Sequence, residues 1–150
     1  MEKYIGTKQI KAEPMTRGVY AVRCGRNSIL TDKGESAEDA GYLVRYEDGY
    51  ESWSPKDVFE KAYRKSGEMN FGHALELLKC GHKVSRSGWN GKGMFLFLAT
   101  GKEFESQNFG DSLPEIVRDV ICMKTAQNTI CIGWLASQLD MLADDWGLVE

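Results

Sequence analysis

A chain of 150 residues with 42% hydrophobic and 27% charged residues has the composition of an ordinary folded protein, far from the polar regime of disordered chains. That length makes one domain, or two small modules that lean on each other or on other subunits. A formal charge of −3 excludes a protein that coats long nucleic acid, a task that needs Lys and Arg clustered against the phosphates.

The opening residues Met1-Glu2-Lys3-Tyr4-Ile5-Gly6-Thr7 lack the apolar core of a signal peptide, and no later run approaches the roughly 20 apolar residues of a membrane span. A cytoplasmic protein without membrane attachment is expected. Within the first 64 residues, 19–23 read as a strand and 25–39 are too polar to be more than a loop. Residues 41–46 alternate, with Tyr42, Val44 and Tyr46 on one face. Asp48-Gly49 supplies the positive φ values of a tight hairpin turn, and 50–53 return as the partner strand. Ser54-Pro55-Lys56-Asp57 then offers a capping hydroxyl, a proline at the first helical position and an acid three residues after the cap. A helix starts there, with Val58, Phe59, Ala62 and Tyr63 as its buried stripe.

The polar stretch Arg64-Lys65-Ser66-Gly67-Glu68 marks a boundary, so residues 1–64 form one module and 69–150 another. In the second, Asn70 caps a short amphipathic helix carrying Phe71, Ala74, Leu75 and Leu78, and Gly81 stands where it ends. Apolar extended segments follow at 83–86, 94–98, 119–123 and 129–132, enough for a twisted antiparallel sheet of about four strands. Residues 101–115 read as a long loop and 140–146 as a short closing turn. The expected fold is α+β: a small antiparallel sheet with a short amino-terminal helix in residues 69–150, and a smaller module of β-hairpin and helix in front.

Catalysis needs an activated nucleophile, a paired acid and base, or a metal, and the residues offer little of each. His73 and His82 are the only histidines and stand beside no other metal ligand at helical spacing, while Cys24, Cys80, Cys122 and Cys131 contain no Cys-x-x-Cys pair. Reduced thiols, no metal and no cofactor are the expectation. Gly88-Trp89-Asn90-Gly91-Lys92-Gly93 has the glycine content of a phosphate-cradling loop but not the spacing of a nucleotide-triphosphate loop; a plain strand-connecting turn accounts for it equally. Asp144-Asp145 reads either as paired carboxylates or as a solvated corner. Trp89 in the glycine-rich turn and Trp134 after Gly133 could present rings to a planar base, or could belong to the core. Charge is distributed unevenly. The stretch 79–102 carries Lys79, Lys83, Arg86, Lys92 and Lys102 with no acid, whereas 125–150 carries Asp140, Asp144, Asp145 and Glu150 with no base. The first could attract phosphate, and the second could meet it across an interface.

Three ordered runs then stand out: residues 69–79 (Met69-Asn70-Phe71-Gly72-His73-Ala74-Leu75-Glu76-Leu77-Leu78-Lys79), residues 84–95 with Ser85-Arg86-Ser87-Gly88-Trp89-Asn90-Gly91-Lys92 at their centre, and residues 134–146, from Trp134-Leu135-Ala136-Ser137 to Asp144-Asp145-Trp146. Together they resemble the second Thoeris anti-defence family of phage proteins, over nearly all of 69–150. The resemblance implies a homotetrameric sponge, not an enzyme. It would hold the glycocyclic ADP-ribose signal made by bacterial TIR proteins, and cyclic dinucleotides of the related CBASS systems at a separate site. It implies Trp89 as the stacking ring with Asn90 beside it, and Trp134, Ser137 and Asp140 as a second wall of ring, hydroxyl and carboxylate. A carboxylate repels pyrophosphate, so Asp140 is expected to accept from ribose hydroxyls or an adenine amino group. Copies of Arg86 or Lys92 facing each other across a two-fold interface are the expected cations for the two phosphates of a cyclic dinucleotide. Residues 41–55 resemble a small domain common in phage proteins, which implies no chemistry, and 101–118 fit no motif of the family. Two other readings remain: an enzyme that hydrolyses a cyclic nucleotide, and a phage structural or interaction protein whose tryptophans are all core.

Overall fold

The computed structural model describes residues 2, 8–25, 34–102 and 118–150. The chain divides into two compact units, Met1–Arg64 and Lys65–Glu150. Among the described residues no helix is long and apolar enough to cross a membrane.

In the first unit, β1 (Lys11–Pro14), β2 (Gly41–Arg45) and β3 (Glu51–Pro55) form an antiparallel sheet in that order, with helices α1 (Arg17–Arg23) and α2 (Lys56–Ala62). The expected strand at 19–23 is a helix. Its β-branched valines suggest a strand, but the Thr16 side chain accepts from Val19 N as an N-cap, and Gly18 N donates to Ala37 O at 2.9 Å. Ala21 then turns inward while Val19 and Val22 face outward. Strand β2 is central and buried on both faces, Leu43 on one and Val44 on the other, so the single apolar face read from its alternation is incomplete. Ser54 does not cap α2. It remains in the ladder opposite Tyr42, β3 runs on to Pro55, and no side chain caps the helix. Of the expected stripe, Val58 and Ala62 are exposed; Phe59 stacks on Tyr42 at 4.1 Å and on Tyr63 at 5.0 Å.

The second unit holds α3 (Phe71–Lys79), β4 (Lys83–Arg86), β5 (Phe95–Ala99), β6 (Val120–Lys124), β7 (Ile130–Ile132), α4 (Gln138–Met141) and β8 (Trp146–Val149). Its strands form one antiparallel sheet in the order β7-β6-β5-β4-β8, five strands where about four were expected. The additional strand is β8. The closing turn read at 140–146 is present at 142–145, between the last residues of α4 and the first residue of this strand. Asn70 accepts from His73 N at 3.1 Å as the N-cap of α3, and Gly81, at φ +85°, ends it. The helix lays Ala74, Leu77 and Leu78 on Val84, Leu96, Met69 and Trp146, which is fully buried. Backbone bonds between Met69 and Trp146, and one from Gly67 N to Trp146 O, tie the entry of the unit to β8. Of the long loop expected at 101–115, residues 103–115 lie outside the described residues.

Candidate functional site

The turn at 87–93 joins β4 to β5 and projects from the strand that carries Arg86. Trp89 is half-buried there, its ring 5.5 Å from Trp146 and 6.2 Å from Trp134. Trp134 arrives from the other direction: Gly133, at φ +83°, turns the chain out of β7, and Trp134 N donates to Ile121 O at 2.8 Å. Its ring lies 6.3 Å from both Phe71 and Trp146. The four aromatic residues form one cluster at the edge of the core. Both candidate stacking rings are therefore partly core, half-buried and packed against the cluster.

A polar network runs behind this cluster. Asp140, buried at 9% exposure, receives Arg86 Nη1 at 2.8 Å and Trp89 Nε1 at 3.2 Å on Oδ1. Its Oδ2 receives Ser137 N at 3.1 Å and Ser137 Oγ at 2.7 Å. Ser137 Oγ in turn accepts from Asp140 N, closing a capping box at the start of α4. The Asp140 carbonyl accepts Trp146 Nε1 at 3.0 Å. Arg86 Nε donates to Asp145 Oδ1 at 2.7 Å, and Asp145 Oδ2 receives Gly88 N at 2.7 Å and Ser87 Oγ at 3.2 Å.

The electrostatics follow from these bonds. Burial alone would raise the Asp140 carboxyl, but hydrogen bonds from Ser137, Arg86 and Trp89 outweigh it and hold the group down at about 2. The Arg86 guanidinium, against a smaller desolvation, also holds Asp145 below the usual carboxylate range, helped by Gly88 N. Arg86 is itself raised, by Asp145 first and Asp140 second. One cation thus faces two anions, and the frame is ionised at neutral pH with a net charge of −1.

Of the residues singled out from the sequence, Arg86, Trp89, Ser137 and Asp140 are brought together by hydrogen bonds, and Trp134 joins through ring contact. Asn90 and Lys92 are exposed on the same turn, with no side-chain hydrogen bond or ion pair among the described residues. Asp145 was missed as a partner of Arg86 and of the turn. Ser137-x-x-Asp140 carries a legible capping signal; nothing in the sequence ties Asp145 to Gly88. Among the described residues no group of three or more His, Cys, Asp or Glu could hold a metal. A separate cavity of about 160 Å³ in the first unit is lined by Lys11, Ala12, Glu13, Leu43 and Arg45 and includes none of these residues.

The second unit is thus an α+β domain whose helix and five-stranded sheet support a glycine-rich turn on an aromatic and ionic base. Residues 69–149 match the Thoeris anti-defense 2-like domain, and the chain belongs to that family, which supports a role in phage anti-defence. A protein of Bacillus phage SP01, Thoeris anti-defense 2, is 48% identical over 87 residues, 55% of this chain and 97% of that protein.

Proposed function

We propose that this protein counters Thoeris immunity by binding the glycocyclic ADP-ribose signal of TIR proteins and sequestering it without degrading it. The observation that carries the proposal is the family match over 69–149, the stretch that contains the turn, both candidate rings and the ionic frame. The chemistry of the site supports it. Asn90 and Lys92 are exposed and uncommitted among the described residues, which suits them to a pyrophosphate or ribose. The Trp89 and Trp134 rings are half-buried, not enclosed, which leaves them candidates to stack on a base, a contact worth roughly 1–3 kcal/mol. Asp140 and Asp145 have their oxygens occupied and their pKa values lowered, so neither is a ready proton donor at neutral pH. That favours holding a ligand over cleaving it.

Assembly belongs to the same proposal. Leu135, Leu139 and Leu142, on and beside α4, are 89%, 79% and 81% exposed, and Ile130 and Ile132 on the edge strand β7 are 53% and 65% exposed. So much bare apolar surface on a small unit suits a homo-oligomer, with a tetramer as the expected state. Cyclic dinucleotides at a separate site complete the proposal. Calorimetry of the full chain against ADP-ribose isomers should give saturable binding of glycocyclic ADP-ribose. A cyclic dinucleotide titrated into the saturated protein should then bind with undiminished affinity. No heat from any cyclic nucleotide would reject the sponge, and mutual exclusion would reduce it to a single site.

A further inference from the structure

We infer that Asp145 is a positioning residue for the proposed ligand site: it anchors the turn at 87–93 from behind, so that Trp89, Asn90 and Lys92 are presented already ordered. This rests on the ligand-binding reading above. Asp145 precedes β8, the edge strand paired with β4, and is more than 50 residues away from the turn in sequence, yet three of its contacts are to the base of that turn. Its Oδ2 receives Gly88 N at 2.7 Å and Ser87 Oγ at 3.2 Å, and its backbone carbonyl receives Ser87 N at 3.2 Å. The fourth contact, Arg86 Nε at 2.7 Å, fixes the carboxylate in place, because Arg86 is held from the other side by Asp140 at 2.8 Å. Asp140 also receives Trp89 Nε1, so one continuous set of bonds controls both the backbone of the turn and the tilt of its ring.

The fit leaves little slack at Gly88. A Cβ there would stand 2.9 Å from Asp145 Oδ2 and 3.3 Å from Arg86 Nη2, so any larger residue obliges the carboxylate to shift. An ordered turn does not have to surrender backbone freedom when ligand arrives, which is how preorganisation raises affinity without adding a contact. Arg86 belongs to this frame. With two carboxylates already on it, it has little unanswered charge for a phosphate, which falls instead to Lys92 at the exposed end of the turn.

The test uses the full chain with Asp145→Ala, Asp145→Asn and Gly88→Ala. Binding of glycocyclic ADP-ribose is measured by calorimetry, and amide hydrogen exchange of the ligand-free proteins is followed at residues 87–93 and in α3. Asp145→Ala should weaken binding at least tenfold and speed exchange in the turn, with α3 protected as in the wild type. Asp145→Asn keeps an oxygen that can accept from Gly88 N but sets its amide NH2 against Arg86 Nε, so it should recover affinity in part, binding at least threefold more tightly than Asp145→Ala. Gly88→Ala, which displaces the carboxylate and removes no charge, should weaken binding at least fivefold. If Asp145→Ala loses protection in α3, Gly88→Ala and Asp145→Asn decide the matter by the same limits. Unchanged affinity in Gly88→Ala, unchanged exchange in the turn, or an Asp145→Asn as weak as Asp145→Ala would overturn the inference. If the wild type gives no binding heat, the sponge proposal fails, and the exchange measurements alone decide whether Asp145 orders the turn.

Discussion

Asp140 accepts four hydrogen bonds on one carboxylate, and its carbonyl takes a fifth from Trp146. Its folded pKa of about 2 lies below the ordinary value of 3.8, so its bonds stabilise the protein fully above about pH 4 and the contribution fades as pH falls toward 2. The difference corresponds to a loss on the order of 2 kcal/mol. Denaturant unfolding followed by Trp fluorescence should show this decline between pH 4 and 2. A midpoint unchanged across that window would contradict the bonding described. Trp89 is subject to a related test. Because its ring packs on the core and its N–H serves Asp140, Trp89→Ala removes fold as well as stacking surface, at roughly 3–5 kcal/mol of stability. Trp89→Phe separates the two: it keeps a ring and should retain binding within a few-fold while costing about 1.5–3 kcal/mol from the lost charged hydrogen bond. Binding lost with stability intact would assign the indole N–H to the ligand. The sequence singles out Arg86, Trp89, Ser137 and Asp140, and they do meet. It does not disclose that they meet each other, because hydrogen bonds between segments about 50 residues apart leave no periodic signature.

At the scale of elements, local signals read well where cap, period and turn agree. Asn70, the apolar stripe of α3 and Gly81 all point the same way. The hairpin between β2 and β3 forms where Asp48-Gly49 placed it, but Gly49 alone has the positive φ, +84°, expected of both residues. Signals fail where tertiary contacts decide. In α1, the Thr16 cap and the close approach of Gly18 to Ala37 override a strand-like sequence. Strand β8 follows the Asp-rich segment, and its Trp146 is fixed by pairing with Arg86 and Met69, which a local reading does not contain. Gly41 shows the same dependence on distant contacts. A Cβ there would collide with the Trp53 ring, whose Nε1 donates to Met15 O at 2.8 Å. Gly41→Ala should therefore cost the first unit about 2 kcal/mol or more by overpacking. Thermal unfolding resolved on Trp53 measures it, and a midpoint equal to the wild type would show that the sheet yields there.

For the whole molecule, the exposed leucines around α4 are the surface on which the proposed homo-oligomer would rest. Leu139→Asp and Leu142→Asp, placing charges on that surface, should shift light scattering from tetramer toward smaller species while leaving circular dichroism unchanged. A wild type that scatters as a monomer at micromolar concentration would contradict the assembly, and an unaffected tetramer in both variants would move the interface elsewhere. A sponge and an enzyme differ in the fate of the ligand. Incubating the full chain with glycocyclic ADP-ribose, denaturing it by heat and quantifying the released nucleotide separates the two. A sponge returns the intact signal in a fixed ratio to protein, whatever the incubation time, and that is the expected result. Linear ADP-ribose or another product accumulating with time would contradict it and make the protein an enzyme.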